Sequence, residues 1–306
     1  MHPLLIGLPP HDVERLERVT CLQAATAVSP LEGGITNRNY RIATPYGDFV
    51  VRLSDPESSV LAIDRANEYL NSVAAAKSGA GAPVEQYIPG AGVLVVHWIW
   101  GRTFNEADVR DPDNLPRIAE ACRMLHAGPA FASDFNMFAI QARYHALVTA
   151  QGYRLPPRYD DFLPRVVRIR AAMQSHPERT VPCNNDLLAA NIIDDGKRLW
   201  LIDYEYAGNN EASFELGNIW SESTLPDDLL EPLVHAYWQQ ESPSLVARAR
   251  LWALMSQYGW TLWASIQDAI SPLDFDYWSW GMEKYERAVR AFDDPGFDDL
   301  LDRVAR

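Results

Sequence analysis

Asp186, Asn191 and Asp203 are the residues whose types and spacing most directly imply a reaction. Asp186 stands five residues before Asn191 in the run Cys183-Asn184-Asn185-Asp186-Leu187-Leu188-Ala189-Ala190-Asn191, and Asp203 closes the apolar run Leu199-Trp200-Leu201-Ile202. Phosphoryl transfer needs one carboxylate to accept the proton of an attacking hydroxyl. It also needs an amide and a second carboxylate to hold magnesium on nucleotide phosphates. Hard cations take oxygen ligands, which Asn191 and Asp203 both offer. Taken alone, D-x-x-x-x-N is also a common accident, with the Asp capping a helix and the Asn in a turn. The strand-like run Arg198–Ile202 weighs against that reading. A hairpin turning at Asp194-Asp195-Gly196 would return Asp203 to the side of Asn191.

A second constellation lies near the N-terminus. Leu31-Glu32-Gly33-Gly34-Ile35-Thr36-Asn37 reads as a glycine-bearing turn entering the strand Tyr40–Thr44, and Phe49–Leu53 reads as the returning strand. Glycine lets backbone N–H groups approach phosphate closely, so Gly33 and Gly34, with Thr36 and Asn37 as side-chain donors, are candidate nucleotide contacts. Two glycines in a hairpin are equally what any tight turn uses. Arg52 is a lone cation in an apolar strand, suited to neutralising phosphate. The helical run Ile63–Leu70 offers Glu68 to orient it. An arginine facing solvent on a half-exposed strand is the alternative.

Together these residues resemble the choline/ethanolamine kinase family, in the aminoglycoside-phosphotransferase-like branch of the protein-kinase-like fold. The resemblance runs from about Gly33 to Arg287. Its pieces are Gly33-Gly34-Ile35-Thr36-Asn37, Val51-Arg52-Leu53, Ile63-Asp64-Arg65-Ala66-Asn67-Glu68, Leu125-His126, Asn185–Asn191 and Ile202-Asp203-Tyr204-Glu205-Tyr206. It implies an α+β bilobal fold: a small antiparallel-sheet N-lobe over residues 1–98 and a larger, mainly helical C-lobe over residues 99–306. It further implies ATP and Mg2+ as cofactors and a hinge where backbone near His97 and Ile99 meets adenine.

The C-terminal third narrows the resemblance. Trp260-Thr261-Leu262-Trp263-Ala264-Ser265-Ile266-Gln267, Asp274-Phe275-Asp276-Tyr277 and Phe214-Glu215-Leu216-Gly217-Asn218 with Glu222 are similar to the family's amino-alcohol pocket segments. A quaternary ammonium donates no N–H, so proteins surround it with aromatic faces and carboxylates. The implied substrate residues are Glu205, Tyr206, Glu215, Glu222, Trp260, Trp263, Asp276 and Tyr277, with Trp278 a further aromatic candidate. Core packing is the competing role for each aromatic, since Trp260 and Trp263 lie one helical turn apart.

Two departures stand out. Asn184 replaces the histidine the family usually has before its Asn-Asp, and Glu215 replaces an aspartate. The expected reaction is ATP-dependent phosphorylation of a small amino alcohol, choline or ethanolamine, with Asp186 as base. The alternatives are a related kinase for an aminoglycoside, thiamine or a sugar, and a catalytically weak nucleotide-binding regulatory protein motivated by Asn184.

Composition agrees. The 306 residues exceed a typical single core, and 47% of them are hydrophobic. A net charge of −14 without a basic stretch argues against nucleic-acid or anionic-membrane partners and suits a cationic substrate. No run approaches the ~20 apolar residues of a membrane span. Cys21, Cys122 and Cys183 have no metal-ligand spacing, which suits a reducing cytoplasm. Oligomeric state is left open. Expected strands are Leu22–Ala27, Tyr40–Thr44, Phe49–Leu53, Glu85–Ile88 and Val93–Trp98. Expected helices are Asp12–Val19, Ala62–Lys77, Asn114–Leu125, Asp160–Met173, Asp227–Gln239, Ser244–Asp268 and Tyr277–Ala291.

Overall fold

The computed structural model describes residues 2–31, 37–54, 61 and 63–305. The sheet of the N-lobe is antiparallel, in the order β1-β2-β3-β5-β4, from β1 (Ala27–Leu31), β2 (Arg38–Thr44), β3 (Gly47–Leu53), β4 (Val84–Ile88) and β5 (Val93–His97). Alternate residues of the central strands face inward, and Ile42, Val51, Val93 and Val95 pack on Leu5 and Leu16 of the N-terminal segment. Helix α1 (Pro10–Leu16) contributes Leu16 to this core. The expected strand at Leu22–Ala27 is instead a 3-10 turn, Thr20–Ala24, followed by β1. Thr20 donates from both its amide and its hydroxyl to Gln86 Oε1, which curls the chain before pairing begins.

Helix α2 (Arg65–Ser78) starts three residues later than the pattern suggested, because Asp64 caps it by accepting from the amides of Ala66 and Asn67. It ends at Gly79, whose φ of +87° is the left-handed conformation a glycine cap supplies at little cost. Asn71 ties the helix to the C-lobe: its Nδ2 donates to the Ala207 carbonyl and its Oδ1 accepts from the Ala132 amide.

The C-lobe comprises α3 (Glu106–Arg110), α4 (Leu115–His126), α5 (Met137–Gln151), α6 (Leu163–Ser175), α7 (Ala212–Glu222), α8 (Leu230–Trp238), α9 (Pro243–Ile270), α10 (Tyr277–Phe292) and α11 (Phe297–Val304). Helix α9 is buried along most of its 28 residues and is the axis on which α5, α7, α10 and α11 pack. A helix apolar all round belongs in a core. Short strands carry the loops: β6 (Arg102–Thr103) pairs with β8 (Ile192–Asp194), β8 with β9 (Leu199–Leu201), and β7 (Thr180–Cys183) with β10 (Gly208–Glu211). The β8–β9 hairpin turns at Asp194-Asp195-Gly196 as expected, with Gly196 at φ +85°.

Candidate active site

The segment between β7 and β8 carries Asp186 and Asn191, and polar contacts hold it from every side. Asn185 sits at φ +66°, a left-handed conformation that Asn tolerates better than most residues. Its Nδ2 donates to the carbonyls of Cys183, Tyr206 and Gly208, while its Oδ1 accepts from Asn210. Asn184 donates through Nδ2 to the carbonyls of Ile202 (3.0 Å) and Asp203 (2.9 Å) and accepts the Asp186 amide on Oδ1. One side chain thus joins the base loop to the strand end that delivers Asp203. Below the loop, Glu215 of α7 accepts the amides of Asn184 and Asn185, one on each carboxylate oxygen.

The β8–β9 ladder closes the remaining distance. The Ile202 amide donates to the Asn191 carbonyl, and Asn191 Nδ2 donates to the Asp186 carbonyl at 2.8 Å. That contact fixes the Asn191 amide and leaves Oδ1 free of it. Asp203 Oδ1 is buried and has no hydrogen-bond partner among the described residues. Both residues line the same two cavities, and oxygens of this kind are what a hard divalent cation takes.

Arg52 of β3 bridges the lobes, with Nη1 2.6 Å from Glu68 and Nη2 2.5 Å from Asp203. Burial works against its charge, but Asp203, Glu68 and Glu205 outweigh burial and hold the guanidinium well above its ordinary pKa. Glu205 is raised by burial and by Asp203, against the pull of Arg52 and Arg65. Asp186 is raised well above the carboxylate range by burial first, then by Glu222, Asp203 and Glu205, with Lys284 opposing.

Two cavities meet at these groups. A cleft of about 400 Å³ is roofed by Val50, Leu94 and Val96, floored by Ile193 and Ile202, and edged by His97 and Ile99. A pocket of about 220 Å³ is lined by Asp186, Glu205, Tyr206, Glu222, Trp260, Trp263 and Trp280. Both are bounded by Arg52, Asn191 and Asp203. A larger groove of about 900 Å³ behind α7 shares no lining residue with either.

The model of the family described as choline/ethanolamine kinase matches residues 28–240. The chain belongs to the choline/ethanolamine kinase family. A crystal structure of a choline/ethanolamine kinase family protein from Mesorhizobium loti superposes with a TM-score of 0.84 at 29% identity, covering 96% of this chain and 98% of that one. The chain is 24% identical over 294 residues to the probable ethanolamine kinase of Arabidopsis thaliana, covering 85% of this chain and 78% of the relative. It is likewise 24% identical over 307 residues to probable choline kinase 2 of the same plant, covering 86% and 85%.

Against this family frame, the sequence candidates divide by position. Asp186, Arg52, Asn191, Asp203, Glu205, Tyr206, Glu222, Trp260 and Trp263 all line the pocket of about 220 Å³, and His97 and Ile99 edge the cleft. The His97 amide is taken by the Pro83 carbonyl and the Trp98 amide by the Asp48 carbonyl. The Ile99 amide has no such partner among the described residues. Gly33, Gly34 and Thr36 lie outside the described residues. Asn37 lines the smaller pocket rather than the cleft and donates to Glu205 at 2.8 Å, so its amide links the lobes.

Three expected substrate residues lie elsewhere. Glu215 is fully buried beneath the loop, both oxygens engaged by backbone. Asp276 caps α10 by accepting the Ser279 amide at 2.9 Å. Tyr277 is 1% exposed and packs behind Trp263, bonded to Ser271. Trp278 lies under the Arg154 guanidinium instead. Trp280 and Lys284 of α10 were not anticipated. Their positions three and seven beyond Tyr277 place them on one helix face, and that periodicity was the available signal. Among the described residues, His126, Cys183 and Glu215 form a buried cluster, but His126 bonds the Tyr237 hydroxyl at 2.7 Å and Glu215 is fully engaged. The cluster braces the loop.

Proposed function

We propose that this protein transfers the γ-phosphoryl group of ATP to the hydroxyl of choline or ethanolamine. The observation carrying this reading is the junction of the two cavities. A nucleotide in the cleft and an alcohol in the aromatic pocket would meet at Arg52, Asn191 and Asp203, with Asp186 on the acceptor side.

Asp186 accepts the hydroxyl proton as the oxygen attacks. Its raised pKa makes it a stronger base than an ordinary aspartate once deprotonated. Arg52, oriented by Glu68, neutralises phosphate charge. The Ile99 amide and the apolar walls of the cleft hold the base and exclude water. Asn191 and Asp203 would hold Mg2+, whose bound charge screens the phosphate oxygens. The unpartnered Asp203 Oδ1 supports that assignment. Asn184 does not favour a non-catalytic reading, because its hydrogen bonds connect Asp186 to Asp203 as a working loop requires. Three free cysteines agree with residence in the cytoplasm, and no helix among the described residues is long and apolar enough to cross a membrane.

The test is ATP consumption by purified protein with magnesium across choline, ethanolamine, thiamine, several sugars and an aminoglycoside. Turnover dependent on choline or ethanolamine supports the reading, and turnover confined to another acceptor overturns it.

A further inference from the structure

Resting on the amino-alcohol reading, we infer that the acceptor carries an ammonium with at least one N–H, as ethanolamine does, and that Lys284 and Glu222 select against a quaternary ammonium. Lys284 is an internal cation packed against two residues that line the acceptor pocket, Glu222 and Trp280. Its Nζ pairs with Glu222 Oε2 and lies 4.1 Å from the centroid of the Trp280 ring. Both side chains are 3% exposed. The carboxylate and the aromatic face that would serve a bound cation are therefore already engaged by the chain itself.

What remains open is a hydrogen-bond acceptor. Glu222 Oε1 is buried and has no partner among the described residues, in a residue that lines the pocket. A buried carboxylate oxygen without a donor is costly, and a ligand N–H beside it removes that cost. A quaternary ammonium has no N–H, so it leaves Oε1 unsatisfied and competes with Lys284 for the charge.

The other aromatics are also committed. Tyr206 meets Trp260 edge to face at 4.9 Å, Trp263 meets Trp280 at 5.6 Å, and Trp263 Nε1 donates to the Tyr206 hydroxyl at 2.8 Å. A pocket of about 220 Å³ admits either alcohol, so hydrogen bonding rather than volume does the sorting. Sites built to bond an N–H reject analogues lacking it far more strongly than apolar pockets reject an extra methyl.

The experiment measures kcat/KM for ethanolamine, N-methylethanolamine, N,N-dimethylethanolamine and choline with ATP and magnesium. The expected result is a modest fall over the first two methylations and a loss on the order of ten- to a hundredfold at the last, where the final N–H disappears. A flat series or a preference for choline overturns the inference and leaves the phosphotransferase reading standing. Turnover of none of the four overturns both. In Lys284→Met, which frees Glu222 Oε2 and the Trp280 face, the ethanolamine-to-choline ratio should fall. An unchanged ratio in the folded variant overturns the part given to Lys284. If that variant does not fold, the methylation series with the native protein still decides.

Discussion

Asp186 shares its pocket with three other carboxylates and lies within the influence of one ammonium, Lys284, and that company sets its behaviour. Burial and the charges of Glu222, Asp203 and Glu205 favour its protonated form. The kcat–pH profile at saturating substrates should therefore rise with pH through a limb lying above the ordinary carboxylate range, since the protonated group cannot act as base. Asp186→Asn should lower kcat by about 10²–10⁴-fold. Its melting temperature should hold or increase, because the lost charge was one the site disfavoured. Steady-state kinetics with thermal unfolding checks both halves. Asn184 is a different case. Asn184→Ala removes two hydrogen bonds joining the loop to Ile202 and Asp203 and a third, inside the loop, from the Asp186 amide. A loss of about 1–3 kcal/mol in urea-derived stability is expected, together with a fall in kcat larger than any change in KM. The sequence marked Asn184 as a departure without revealing its partners. Both carbonyls belong to a segment 18 or 19 residues away, brought near by a hairpin.

At the scale of elements, α7 is open to disruption by a single substitution. It was not read from sequence, since Gly217 and Asn218 interrupt an otherwise helical run. The structure explains the glycine. A Cβ at Gly217 would lie 2.2 Å from the Ala249 carbonyl oxygen of α9, a contact with backbone that cannot swing aside. Gly217→Ala should push α7 from α9 and cost about 3 kcal/mol, the upper end for an overpacked core. Because α7 carries both Glu215 and Glu222, activity should fall beyond what partial unfolding explains, as measured on the fraction still folded. Helix α10 teaches the complementary lesson. Its boundaries were legible from periodicity, but Trp280, rather than the expected Asp276 and Tyr277, is the residue of this helix that lines the pocket. Which face of an amphipathic helix meets a cavity depends on its rotation against α9, and Trp280 and Lys284 face inward where Asp276 caps the end.

At the scale of the molecule, the lobes are joined by polar contacts among residues distant in sequence: Arg52 with Asp203, Asn37 and Arg65 with Glu205, and Asn71 with Ala207. Global stability carries a pH signature from another such group. Glu178, before β7, is raised to about 7 by burial, although Ser213 and Arg248 pull the other way. Below about 4.5, folded and unfolded forms both hold the proton. Between there and about 7, the folded form retains a proton that the unfolded chain has released. Stability therefore declines as pH rises through that window, by up to about 3 kcal/mol from this group. Urea midpoints measured across the window should show Glu178→Gln flattening the decline.

The sequence by itself nominated the residues for the chemistry and, through its resemblance to a known family, implied the class of fold. Oxygen-bearing side chains at Asp186, Asn191 and Asp203, a cation at Arg52, and the strand-like and helical runs are local patterns, legible from residue type and spacing. The tertiary structure decided which of the nominated carboxylates and aromatics line the pocket of about 220 Å³. Glu215, Asp276 and Tyr277 resemble Glu222, Trp260 and Trp263 in composition and neighbourhood, and only packing against α9 separates them. Placing one set behind the loop and the other around the pocket is a matter of helix rotation and burial. Those are set by contacts between residues far apart in the chain, which no local pattern records.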